Sequence, residues 1–125
     1  MSNPTNSRRI LIVEDEPLIA MLVQEWLEEL NCTAIGPAAS VGGALKLIAG
    51  LALDGAVLDV SLGKEESFPI ADELRKRGVP FVFATGYGVD GLESRFAGAL
   101  VLAKPFEHEL FCDVVGKMLT DRPGA

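Results

Sequence analysis

The sequence predicts a doubly wound α/β domain in which five parallel strands alternate with five helices. Three observations carry that expectation. Short apolar runs rich in β-branched residues recur along the chain, each followed by a longer stretch with apolar residues at three-and-four spacing. Glycine and proline punctuate the junctions. The runs are almost wholly apolar rather than alternating, as strands covered on both faces of a parallel sheet are.

Residues 9–13 (RILIV) give the first strand, which stops at Glu14-Asp15-Glu16. Pro17 then suits the first turn of a helix. In that helix Leu18, Ile19, Leu22, Val23, Trp26, Leu27 and Leu30 form an apolar stripe opposite Gln24, Glu25, Glu28 and Glu29, and Trp26 is expected in the core. Residues 33–38 read as a second strand, weakened by Gly36 and Pro37. Ser40 can cap a helix over residues 41–49, ended by Gly50. Residues 55–59 (GAVLD) form the third strand, 68–77 a third helix stopped by Gly78, and 80–84 the fourth strand. A fourth helix is expected over residues 89–96, although Gly86, Gly88 and Gly91 crowd its start. Residues 100–103 give the fifth strand and 107–119 the last helix. Residues 1–8 are expected to be a flexible segment, 9–120 the domain and 121–125 a frayed tail.

A length of 125 residues fits one domain, and 49% hydrophobic residues suffice for a compact core. The 11 Lys and Arg against 18 Asp and Glu leave a net charge of −7, which repels phosphodiester backbones, so direct nucleic-acid binding is not expected. No apolar run approaches the roughly 20 residues of a membrane span, and the polar residues 1–9 lack the apolar region of a secretory signal. Cys32 and Cys112 sit far apart without CxxC spacing and read as ordinary thiols. A cytoplasmic, reducing setting is expected, with no membrane association.

In open parallel sheets the functional groove lies beyond the carboxyl ends of the strands. The residues there are Glu14 and Asp15, Asp59, Thr85 and Lys104. Each of these is ordinary alone; the acids after the first strand, for instance, also suit a helix start. Together they form a constellation. Three carboxylates so placed cannot coexist unpaired, since at an effective dielectric near 20 each pair about 4 Å apart costs roughly 4 kcal/mol. Either a proton is retained or a hard cation binds, and an oxygen-only donor set favours Mg²⁺ over zinc. A cation beside one ammonium and one hydroxyl suits an incoming phosphoryl group, and a carboxylate nucleophile needs no general base.

At this point the chain resembles the receiver domain of bacterial two-component response regulators. The resemblance rests on ILIVEDE at residues 10–16, VLDVSL at 57–62, FATG at 83–86 and AKPF at 103–106. It implies a flavodoxin-like sheet of strand order 2-1-3-4-5. It also implies Asp59 as phosphoacceptor, Asp15 and Asp59 as Mg²⁺ ligands with the backbone carbonyl of Ser61, and Glu14 acting through water. Mn²⁺ is expected to substitute. Thr85 matches the hydroxyl that closes on the phosphoryl group, Lys104 its ion-pair partner, and the bond before Pro105 is commonly cis in the family. Such domains catalyse their own Mg²⁺-dependent phosphorylation and slow dephosphorylation.

One departure is informative: many receivers carry an aromatic switch residue three positions before the lysine, where this chain has Val101. The segment PFVFATGY (80–87) resembles the PFxFATGY motif of a receiver subgroup that lacks this aromatic, is often stand-alone, and is associated with sensor kinases of the HWE type. Switching is then expected in the loop 86–91, which would order when Thr85 bonds the phosphoryl group. Tyr87, two residues past Thr85, would shield that group from water. The implied partners are a sensor histidine kinase or phosphotransfer protein and a downstream protein target met by the fourth helix, fifth strand and last helix. Two alternatives stay open: a phosphate sink, and an interaction module without phosphorylation. Gly86, Gly88 and Gly91 also fit a dinucleotide fingerprint, but in the fourth unit rather than the first. A haloacid-dehalogenase-type phosphatase would want a second Asp where Ser61 stands.

Overall fold

The computed structural model describes residues 7–86 and 91–120. Its main sheet takes strands β1 (Arg8–Val13), β2 (Cys32–Ala38), β3 (Gly55–Asp59), β6 (Phe81–Thr85) and β7 (Leu100–Ala103) in the order β2-β1-β3-β6-β7, every pairing parallel. A separate antiparallel hairpin, β4 (Ser61–Leu62) with β5 (Glu65–Glu66), follows β3. Without the hairpin the order is the expected 2-1-3-4-5. The described α-helices are α1 (Pro17–Glu29), α2 (Val41–Gly50), α3 (Phe68–Lys76) and α4 (His108–Thr120).

Alternation along β1 divides the core in two. Leu11 and Val13 pack with Ala44 and Ile48 of α2 and Ala71 and Leu74 of α3. Ile10 and Ile12 pack with Val23 and Leu27 of α1 and Phe111, Val115 and Met118 of α4. β3 is buried along its whole length, which is why GAVL carries no polar residue before Asp59 closes the strand. It opens on Gly55, which packs closely under the flexible Met118 side chain, a Cβ there lying 2.7 Å from Met118 Cε. Ser40 caps α2 as expected, its hydroxyl accepting from the Gly43 N–H at 3.1 Å. No helix of the described residues is long and apolar enough to cross a membrane.

Two expectations need correcting. Four α-helices rather than five are found among the described residues. Residues 89 and 90 of the anticipated fourth helix lie outside them, and the remainder holds only a 3₁₀ turn, Ser94–Phe96. Each glycine costs a helix up to about 1 kcal/mol, and Gly91 and Gly98 flank this turn. It is held instead by Phe96, which is fully buried against Phe68, Phe81 and Phe83 with ring centroids 5.3–6.0 Å apart. Arg75 and Arg95 lie over the same ring at 4.6 and 4.7 Å, and Arg95 also grips Asp72 through two bonds. The second correction concerns α1. Leu18 and Leu22 do not join the core: they are 76% and 39% exposed, beside Met21 at 53%. Leucine periodicity marks a stripe wider than the one the sheet can cover, and Ala20, Val23 and Leu27 take the buried places.

Candidate functional site: an acidic pocket at the strand ends

The ladder itself aligns the pocket. Val13 registers with Leu58, Asp59 with Ala84 and Thr85 with Ala103, so Glu14, Asp59, Thr85 and Lys104 emerge along one edge. Backbone bonds continue past the strand ends and fix that edge: Glu14 N–H to the Ala38 carbonyl at 2.9 Å, Val60 N–H to Ala84 at 3.0 Å, and Lys104 N–H to Thr85 at 2.8 Å. Glu14, Asp59 and Thr85 are buried, whereas Asp15 is exposed at the rim.

One carboxylate oxygen from each of Glu14, Asp15 and Asp59 lies within 4.8 Å of the others. Lys104 Nζ donates to Glu14 Oε1 at 3.1 Å and stands 3.2 Å from Asp59 Oδ2. Glu14 Oε2 also accepts from the Glu16 N–H at 3.1 Å, and Asp59 Oδ1 from the Ser61 N–H at 3.4 Å. Burial, reinforced by Asp59 alongside and only partly offset by Glu16 and Lys104, pushes Glu14 up to about 6. Burial also opposes the charge on Lys104, but the bond to Glu14 and the charge on Asp59 outweigh it and hold the ammonium above its ordinary value.

A hard divalent cation fits this donor set. Three carboxylates and one ammonium leave two uncompensated negative charges. Oxygens about 2.0–2.1 Å from one Mg²⁺ lie at most about 4 Å apart, so the present spacing requires only small side-chain adjustments.

The remaining expected positions fall as follows. Gly86 is an exposed turn residue directly after Thr85. Val101 is half-buried opposite Phe83, one ladder position before the Leu102–Ala84 pair. Pro105 is exposed and follows a cis bond from Lys104. Tyr87 lies outside the described residues. His108 begins α4 and meets Glu29 at 2.8 Å, far in sequence from the acidic cluster. Both cysteines are free thiols.

Two features near the pocket were not anticipated. The tip of the β4–β5 hairpin lies by Asp15, where a Cβ on Gly63 would stand 3.8 Å from Asp15 Oδ2. In addition, α1 exposes Leu18 and Met21 while its Ile19 and Leu22 line a hollow of about 260 Å³ with Lys104, Pro105 and Phe106. A two-residue Gly63-Lys64 connection was the available hairpin signal. Nothing in the pattern of α1 distinguished its outer leucines from its inner ones.

A doubly wound sheet bearing three acids, a lysine and a threonine along its carboxyl edge is the architecture of receiver-type signalling domains. The chain belongs to the response regulator receiver domain family, whose sequence profile matches residues 10–115. It is 34% identical over 114 residues to the phyllosphere-induced regulator PhyR of Methylorubrum extorquens, covering 88% of this chain and 43% of that protein. The chain thus spans less than half the length of that relative. A solution structure of SdrG from Sphingomonas melonis Fr1 is 45% identical with a TM-score of 0.77, covering 95% of this chain and 97% of SdrG. The BeF3-activated conformation of SdrG, from Pseudomonas melonis Fr1, is likewise 45% identical with a TM-score of 0.76, covering 95% and 99% of the two chains.

Proposed function

We propose that this domain accepts a phosphoryl group from the phosphohistidine of a sensor histidine kinase, of the HWE type, or of a phosphotransfer protein, onto Asp59. The acquired phosphate then changes which protein target it binds. The observation that carries the reading is Lys104 Nζ held within 3.2 Å of both Glu14 and Asp59 inside a pocket of three carboxylates. An interaction surface alone has no use for so much buried charge.

Asp15, Asp59 and the Ser61 carbonyl would hold Mg²⁺ or Mn²⁺, with Glu14 acting through water. When bound, the cation neutralises charge on the phosphoryl oxygens. An Asp59 oxygen attacks phosphorus in line, forming the O–P bond as the N–P bond to the donor imidazole breaks. Lys104 pairs with the transferred oxygens, and the Thr85 hydroxyl donates to another of them. Thr85 N–H and carbonyl belong to the sheet, so its movement is passed to Gly86 and the residues beyond. With Val101 at the usual aromatic position, that loop is the switch rather than a rotating ring. Tyr87 is proposed to slow hydrolysis.

The exposed apolar strip of Leu18, Met21 and Leu22, continuous with the hollow at Lys104 and Pro105, suits the kinase helix that carries the phosphohistidine. Such signalling takes place in the cytoplasm. Incubation with acetyl phosphate and Mg²⁺ tests the reading: intact mass should rise by one phosphoryl group in the wild type and not in Asp59→Ala. No gain with any donor, in protein that binds Mg²⁺, would leave an interaction module.

A further inference from the structure

The loop between Asp59 and α3 is where a metal-ligating carbonyl is needed, and it is folded into a hairpin of two-residue arms. So short a ladder has no independent stability and must be held from outside. Three ties hold it. Its base closes through the Ser67 N–H donating to the Val60 carbonyl at 2.9 Å. Leu62 is buried in the core. The third tie is long-range: Glu65 Oε1 accepts from the Val41 N–H at 3.1 Å.

Val41 is the first residue of α2, and its N–H is one of those a helix start leaves without an intrahelical partner. The helix therefore receives two side-chain acceptors, its own Ser40 at Gly43 and the carboxylate of Glu65 from 24 residues away. A negative charge there also complements the helix dipole. At the other end of the hairpin Gly63 turns at φ 69°, and a Cβ on it would stand 3.8 Å from Asp15 Oδ2. One short segment thus carries Ser61 next to Asp59, rests its tip by Asp15, and is moored to α2 by Glu65.

We infer that Glu65 is a positioning residue for the cation pocket: its bond to the N-terminus of α2 sets the tilt of the hairpin, and with it the direction of the Ser61 carbonyl and the approach to Asp15. The inference rests on the functional reading above, in which Ser61 is a ligand. Mg²⁺ is sensitive to such tilt because it demands near-ideal octahedral geometry at about 2.0–2.1 Å.

The test is calorimetric Mg²⁺ titration of the unphosphorylated protein, with amide exchange of residues 61–66 followed in parallel. Glu65→Ala should weaken Mg²⁺ binding by about tenfold, the low end for groups that orient a metal ligand, and speed exchange in the hairpin. Glu65→Gln keeps an acceptor and should recover most of the affinity. Ser40→Ala removes the other cap of α2 and should leave Mg²⁺ affinity within about twofold, since its hydroxyl is bonded to Gly43 and not to the hairpin. Unchanged affinity in Glu65→Ala would overturn the inference. So would an equal loss in Ser40→Ala, which would trace the effect to helix stability. A wild-type protein that binds no Mg²⁺ would instead overturn the functional reading, and the role of Glu65 with it.

Discussion

Replacing Glu14 by glutamine should make the metal-free protein more stable at neutral pH, although it removes a buried ion pair. Glu14 is 5% exposed and faces Asp59, and folding raises its pKa from 4.5 to about 6. A raised value means that the folded chain holds this proton more tightly than the unfolded chain does. The stabilising contribution is complete below 4.5 and is lost as pH rises through 6. At about 1.4 kcal/mol per pH unit, that displacement amounts to about 2 kcal/mol. Glutamine, like the protonated acid, carries no charge and keeps one carbonyl oxygen to accept from Lys104 or from the Glu16 N–H, so Glu14→Gln should recover about 1–2 kcal/mol at pH 7.5. For a chain of this length the gain corresponds to about 3–8 °C in melting temperature. The assay is thermal melting in EDTA from pH 4.5 to 7.5 for both proteins, since their difference cancels the titration of groups that do not interact with Glu14. The curves should meet at the acid end and separate above pH 6, and saturating Mg²⁺ should narrow the gap. Equal melting at all pH values, or a lower melting temperature for Glu14→Gln at pH 7.5, would refute the reasoning.

Phe96→Ala should cost about 3–5 kcal/mol in urea unfolding, as for a phenylalanine deep in a core, because that fully buried ring holds the 3₁₀ turn to the sheet. A cost below about 1 kcal/mol would mean that the Phe68, Phe81, Phe83 and Phe96 cluster does not anchor the segment. Leu18→Lys, at a position 76% exposed, should leave stability within about 0.5 kcal/mol and acetyl phosphate labelling unchanged while slowing transfer from the histidine kinase. Equal rates from the kinase would remove α1 from the docking surface.

The strand ends were legible because burial on both faces leaves no room for polar residues until the sheet stops. ILIV therefore breaks at Glu14 and AVL at Asp59, and the parallel register does the rest. The cluster follows from topology, and topology follows from the alternation of runs. What the sequence concealed depends on contacts between distant segments. Leu18 and Leu27 look alike in the pattern of α1, and only the sheet beneath decides that one is bare and the other sealed. The turn around Phe96 is held by Arg75 on α3 and by rings from β6, which no local propensity reports. The hairpin after Asp59 has arms too short to alternate, and its mooring through Glu65 to α2 links residues 24 apart.

The central claim is that Glu14, Asp15 and Asp59 act as one cation pocket, with Asp59 the proposed phosphoacceptor. Paramagnetic broadening of amide NMR signals by substoichiometric Mn²⁺ tests it most directly. Signals of residues 14–15 and 59–61 should vanish first and return when excess Mg²⁺ displaces the probe. Broadening spread evenly over the acidic outer faces of α1 and α3, or unaffected by Mg²⁺, would contradict it.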